Sequence, residues 1–298
     1  MAKAREIQKR RKAVRNIHKI TKVMQMIATS RFQKSLKRAK GTRPFAQKLQ
    51  ALVDSMLDVV KNASDELLHP LVRSRIAKRT AVLIVTSNRG LAGGYNSNIL
   101  RTANHAIRDL EQASQEVDIY VAGKKGAAYF RFARRAVKKA YSNISDNARF
   151  EEIIPIADEI TEAYSSGQID ALKLVYMKFH SVGRQKPVVL DVLPLKRGKA
   201  ADVADTGKPP VIKASPDFAP EPGELLADLV PTLLQVSIFQ AFVDAAVSEQ
   251  IARMVAMSAA TENAESMTRL LTREYNRARQ SQITSELSEL MGGVEALN

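Results

Sequence analysis

Residues 86–98, TSNRGLAGGYNSN, place three glycines and a cluster of hydroxyl and amide side chains after an apolar run, AVLIV, and before a helix-compatible stretch. Strand, glycine-rich loop and helix is the arrangement in which backbone amides cradle phosphate. The spacing fails both well-defined versions of it. A Walker A loop needs G-x-x-x-x-G-K-[ST], and no Lys-Ser or Lys-Thr pair follows these glycines. The dinucleotide fingerprint needs G-x-G-x-x-G, whereas Gly90, Gly93 and Gly94 are spaced G-x-x-G-G. The loop is therefore expected to be a tight strand-to-helix turn, with Asn96, Ser97 or Asn98 capping the helix.

Other chemistry is equally poorly provided for. The histidines His18, His69, His105 and His180 are scattered, with none three or four residues from another, and the chain has no cysteine. That is a poor basis for a metal site and excludes disulfides and thiol nucleophiles. There is no G-x-S-x-G elbow. The acidic neighbours Glu151-Glu152 and Asp158-Glu159 fall in segments that read as exposed helix. No catalytic, cofactor-binding or metal-binding residue is assigned, and the chain is not expected to be an enzyme.

The elements around the loop have an uneven layout. Residues 1–40 contain no Gly or Pro, and Ala13, Ile17, Ile20, Met24 and Ile27 are spaced 4, 3, 4 and 3. That spacing predicts a helix with an apolar stripe, close to a heptad seam. Gly41 and Pro44 are expected to break it, with a second helix running to about Leu68. Between 75 and 195, TAVLIVTS (80–87) and VDIYVAG (117–123) read as strands buried on both faces, with a helix over 97–115 between them. ALKLVYMKFHSV and PVVLDVLPL, flanking GRQK, read as a β-hairpin. The alternation predicts an α/β domain on a partly parallel, Rossmann-like sheet. Residues 196–230 read as a Pro/Gly-rich loop and linker. From 231 to 298 no breaker occurs until Gly292, which predicts a helix too long for an ordinary globular domain. Its middle is built of small residues, so it reads as a helix with a close partner. No apolar stretch of membrane-spanning length and no signal peptide are evident, and a soluble intracellular protein is expected.

Charge is concentrated at one end. Residues 1–50 carry 16 Lys and Arg against a single acid, Glu6, which accounts for the whole net charge of +15. Such an arm calls for an anionic partner: nucleic acid, acidic lipid or an acidic protein surface. Phe32 and Phe45 are the arm's only aromatics, and no nucleic-acid module is recognisable. A basic-arm nucleic-acid-binding protein is the alternative reading.

Three blocks resemble the γ subunits of F-type ATP synthases: EIQKRRKAVRNIHKITKVMQMIATSRFQKS, TSNRGLAGGYNSNI, and SEQIARMVAMSAATENAESMTRLLTREYNRARQSQITSELSELMGGVEAL. The likeness spans essentially the whole chain. It implies an α/β domain plus a long antiparallel coiled coil formed by the N-terminal (1–68) and C-terminal (231–298) helices. It also implies a non-catalytic central shaft, without cofactor, that couples ring rotation driven by H+ or Na+ to conformational change in catalytic β subunits. Expected partners are the α and β hexamer, the ε subunit and the membrane c-ring, with no nucleic acid and membrane association only through the complex. Within the motifs, Arg279 and Gln280 are expected to contact β, together with Arg10, Arg11 and Lys12 of the basic helix. Ile17, Ile20, Met24 and Ile27 are expected to form the intramolecular seam. Ala92 stands where the family's commonest form has cysteine. The motif begins within a few residues of Met1, which favours a bacterial origin and the cytoplasmic face of the cell membrane.

Overall fold

A computed structural model describes residues 2–60, 69–73, 75–195 and 222–295. In chain order these form α1 (Ala2–Val60), a short 3-10 turn (Pro70–Val72), β1 (Arg79–Val85), α2 (Tyr95–Gln112), β2 (Glu116–Ala122), α3 (Lys124–Phe132), β3 (Lys139–Tyr141), α4 (Phe150–Ser165), β4 (Ala171–Ser181), β5 (Arg184–Leu193) and α5 (Pro222–Glu295). Two compact units result, residues 1–30 with 253–298, and residues 31–252.

The second unit is built on a five-stranded sheet of order β3-β2-β1-β4-β5. The first four strands are parallel, and β5 runs antiparallel to β4 as the expected hairpin. Alternation along β1 explains why AVLIV is apolar throughout. Val82 and Ile84 pack with α2 residues such as Ile99, Ala103 and Ile107 on one face. Ala81, Leu83 and Val85 face α4 and the long helices on the other. A strand covered on both faces has no polar side to show.

Several expectations are corrected here. α1 is one helix that passes through Gly41 and Pro44. An interior proline costs about 3 kcal/mol, but Val53, Met56 and Leu57 are buried beyond it, each contributing about 1.5–3 kcal/mol. Side-chain bonds also brace the weak point: Thr42 Oγ1 donates to Gln240 Oε1 at 2.9 Å, and Arg43 Nη2 donates to the Phe179 carbonyl at 3.1 Å. Residues 61–68 of the expected second helix, and 196–221 of the expected linker, lie outside the described residues. α5 likewise includes Pro231 and begins at Pro222, ahead of the expected 231; Val230, Leu233 and Leu234 are buried around it. α5 also contains an apolar window long enough to cross a membrane, which the sequence reading had not seen, and 67% of that window is buried in the fold. The short edge strand β3 was not foreseen. Three residues of KAY, exposed on one side, carry too little pattern to read.

The helix pair and the cationic face as candidate functional surface

In the first unit, α1 and α5 run antiparallel. The Thr261 hydroxyl donates to Thr21 Oγ1 at 2.9 Å. Further along, the Arg11 guanidinium lies 4.7 Å from the Tyr275 ring centroid. As the number rises on one helix it falls on the other. On α1 the covered positions include Ala4, Ile7, Arg11, Val14, His18, Thr21, Gln25 and Ala28. On α5 they include Met257, Thr261, Ala264, Thr268, Leu271, Tyr275, Ala278 and Gln282. Both series alternate steps of three and four, the spacing of a heptad seam. Small and polar residues such as Thr21, Ala28, Thr261 and Ala264 share it with larger apolar ones such as Ile7, Met257 and Leu271.

This seam differs from the expected one at Ile17, Ile20 and Ile27, whereas Met24 is covered to the same degree as His18 and Gln25. Ile17, Ile20 and Ile27 are 51%, 59% and 48% exposed, and Met24 is half-buried. The covered residues are their immediate successors His18, Thr21, Gln25 and Ala28. One residue turns an α-helix by 100°, enough to exchange an inward stripe for an outward one. Thr261 on α5 meets Thr21 on α1, and the bulkier isoleucines lie outside. α1 therefore carries an exposed apolar stripe that also includes Val23 and Met26.

The charged candidates divide. Arg10 is exposed and ion-paired to Glu6, one turn away, at 2.7 Å. Lys12, Arg279 and Gln280 are exposed. Arg11 instead stacks on Tyr275, so part of its role is internal to the pair.

The glycine-rich loop is bonded within itself and to neighbouring elements, Asn88 Nδ2 donating to the Ile144 carbonyl at 2.8 Å. Asn96 Nδ2 donates to Ser87 Oγ at 2.8 Å, and Ser87 Oγ donates to the Arg89 carbonyl at 2.6 Å. At the start of α3, the Lys124, Lys125 and Gly126 amides bond Asn88 Oδ1, the Ser87 carbonyl and Thr86 Oγ1. α2 starts at Tyr95, with Gly94 as a cap lacking any side-chain bond. The expected capping by Asn96, Ser97 or Asn98 is thus replaced by the Asn96 bond back to Ser87.

The loop does contribute to a surface that sequence reading missed. Asn88 and Arg89 line a cleft of about 540 Å³ in the second unit together with Arg31, Lys34, Lys124 and Asp146. Arg89 Nε lies 3.1 Å and Arg31 Nη1 3.5 Å from Asp146 Oδ2, so two cations share one carboxylate. With the two lysines the cleft is strongly cationic. Its members are scattered over more than a hundred residues, and no local motif joins them.

A long helical pair with an exposed cationic and apolar exterior, in one chain with an α/β sheet, points to a class of protein that works against other chains. Comparison with known proteins agrees. The ATP synthase family model matches residues 3–297. The ATP synthase gamma chain of Rhodopirellula baltica is 40% identical across this whole chain and 99% of its own. That of Leptospira biflexa is 35% identical over the full length of both. A chain of the Euglena gracilis mitochondrial ATP synthase has the same fold at a TM-score of 0.65, with 18% identity, over 99% of this chain and 95% of that one. One from the central stalk and c-ring structure of the Tetrahymena thermophila enzyme gives 0.59 at 22% identity, over 81% of this chain and 99% of that one. The chain belongs to the ATP synthase gamma chain family, and is a non-catalytic subunit of that complex. The nucleic-acid reading of the basic arm is thereby set aside.

Proposed function

We propose that the chain is the rotating shaft of an F-type ATP synthase, turned by an H+- or Na+-driven c-ring and imposing conformational change on catalytic β subunits within an α and β hexamer. The helix pair stands within the hexamer, and the sheet unit meets the ε subunit and the ring at the cytoplasmic face of a bacterial cell membrane. The observation that carries this reading is the exterior of the helix pair. Cations on α1 and α5 and an unpartnered isoleucine stripe surround a seam that is already filled, so the outer face is left for other chains. In the second unit, the cationic cleft at Arg31, Lys34 and Arg89 suits an acidic loop of a surrounding subunit. Exposed ion pairs are individually weak, about 0–1 kcal/mol, which lets a turning shaft exchange them. Arg279 and Gln280, together with Arg10, Arg11 and Lys12, are the proposed β contacts. The test is hydrolysis by complexes reconstituted with Arg279→Ala and Gln280→Ala chains. Turnover should fall several-fold while the chain's own melting temperature stays put; unchanged turnover removes these residues from the contact.

A further inference from the structure

Among the described residues the sheet has an open edge at β3, and a groove of about 830 Å³ runs between that edge and α3. Its floor is apolar and small, formed by Ala127, Ala128 and Ala140. Its rim is cationic: Lys124, Arg131, Arg134 and Arg135 line it, and no carboxylate does. Arg135 is held by Glu111 at 2.8 Å. The side chains of Arg131 and Arg134 have no ion pair or hydrogen bond among the described residues. Arginine near a helix C-terminus can be explained by the helix dipole alone. That explanation does not account for the groove, the alanine floor or the free strand edge beside them.

We propose that this groove receives an extended acidic segment of a partner polypeptide, laid along the outer edge of β3 with its carboxylates on Arg131 and Arg134. An edge strand offers backbone donors and acceptors that an added strand satisfies. The alanines leave room for alternate side chains of that strand, and the arginine forks match carboxylates in geometry as well as charge. An anionic bilayer is the competing occupant, because Phe132 at the end of α3 is 89% exposed. A concave groove with an open strand edge fits a peptide better than a bilayer, which takes protruding apolar clusters, and Phe132 protrudes alone.

The test uses the full chain and a fluorescein-labelled ten-residue peptide of alternating Glu and Val, with the Gln-Val analogue as control. Saturable binding of the acidic peptide alone is expected, with slowed amide exchange in 139–141. Arg131→Gln with Arg134→Gln should weaken it about tenfold, the worth of two exposed ion pairs, and Arg184→Gln in the distant hairpin should not. Absence of binding, or equal binding by the double variant, overturns the proposal. So does failure of the peptide alongside Arg131- and Arg134-dependent sedimentation with phosphatidylglycerol vesicles, which would assign the surface to lipid.

Discussion

Asp244 on α5 is the buried charge with most at stake. Its side chain is fully enclosed, Arg43 Nη2 lies 3.2 Å from Oδ1, and Gln240 Nε2 donates to the same oxygen at 3.2 Å. Oδ2 and Arg43 Nε have no hydrogen-bond partner among the described residues. Burial pushes the carboxyl up to about 6 from 3.8, although the Arg43 charge and hydrogen bond, Gln240 and the nearby Lys178 all pull it down. Desolvation therefore outweighs the ion pair, as it often does in interiors. The folded-state pKa lies above the unfolded one, so folding binds a proton. This group's stabilisation is fully present below about pH 4 and is lost as pH rises to about 6. Two pH units correspond to on the order of 3 kcal/mol. Asp244→Asn resembles the protonated acid at every pH. Urea unfolding of both chains from pH 4 to 7.5 should show near-equal stability at pH 4 and a variant more stable by about 2–3 kcal/mol at pH 7. A variant less stable than the parent at pH 7, or a difference that does not change with pH, would refute the reasoning and make the Arg43–Asp244 pair a net stabiliser.

The seam register can be checked by two substitutions of opposite expectation. Ile20→Ala should change the unfolding free energy by no more than about 0.5 kcal/mol, whereas Ala28→Leu should cost about 1–3 kcal/mol by overpacking; the reverse order would restore the isoleucine seam. Gly123 has φ +100°, and a Cβ there would run into the Thr86 carbonyl, so Gly123→Ala should cost at least about 3 kcal/mol in thermal unfolding. A loss under 1 kcal/mol would show that the turn between β2 and α3 can shift.

The sheet was legible because its strands are short, β-branched and buried on both faces, a pattern that survives without knowledge of neighbours. The long helices were legible as helices but not in their extents. Pro44 and Pro231 signal breaks locally, and only the burial of Val53, Met56, Leu233 and Leu234 around them overrides that signal. The seam was misplaced by one residue because α1 carries two adjacent stripes. Sequence favours the one with larger apolar residues, whereas the fold covers the one that carries Thr21 and Ala28. Arg10, Lys12, Arg279 and Gln280, proposed from the family resemblance, lie exposed. The cationic cleft was invisible because Arg31, Arg89 and Lys124 come together only through the fold.

The central claim is tested most directly by mixing this chain with matching α and β subunits and assaying complex formation and ATP hydrolysis, against α plus β alone and this chain alone. The account predicts a stoichiometric complex whose sustained hydrolysis requires this chain, which is itself inactive. Failure to form the complex, or hydrolysis by the isolated chain, would contradict it.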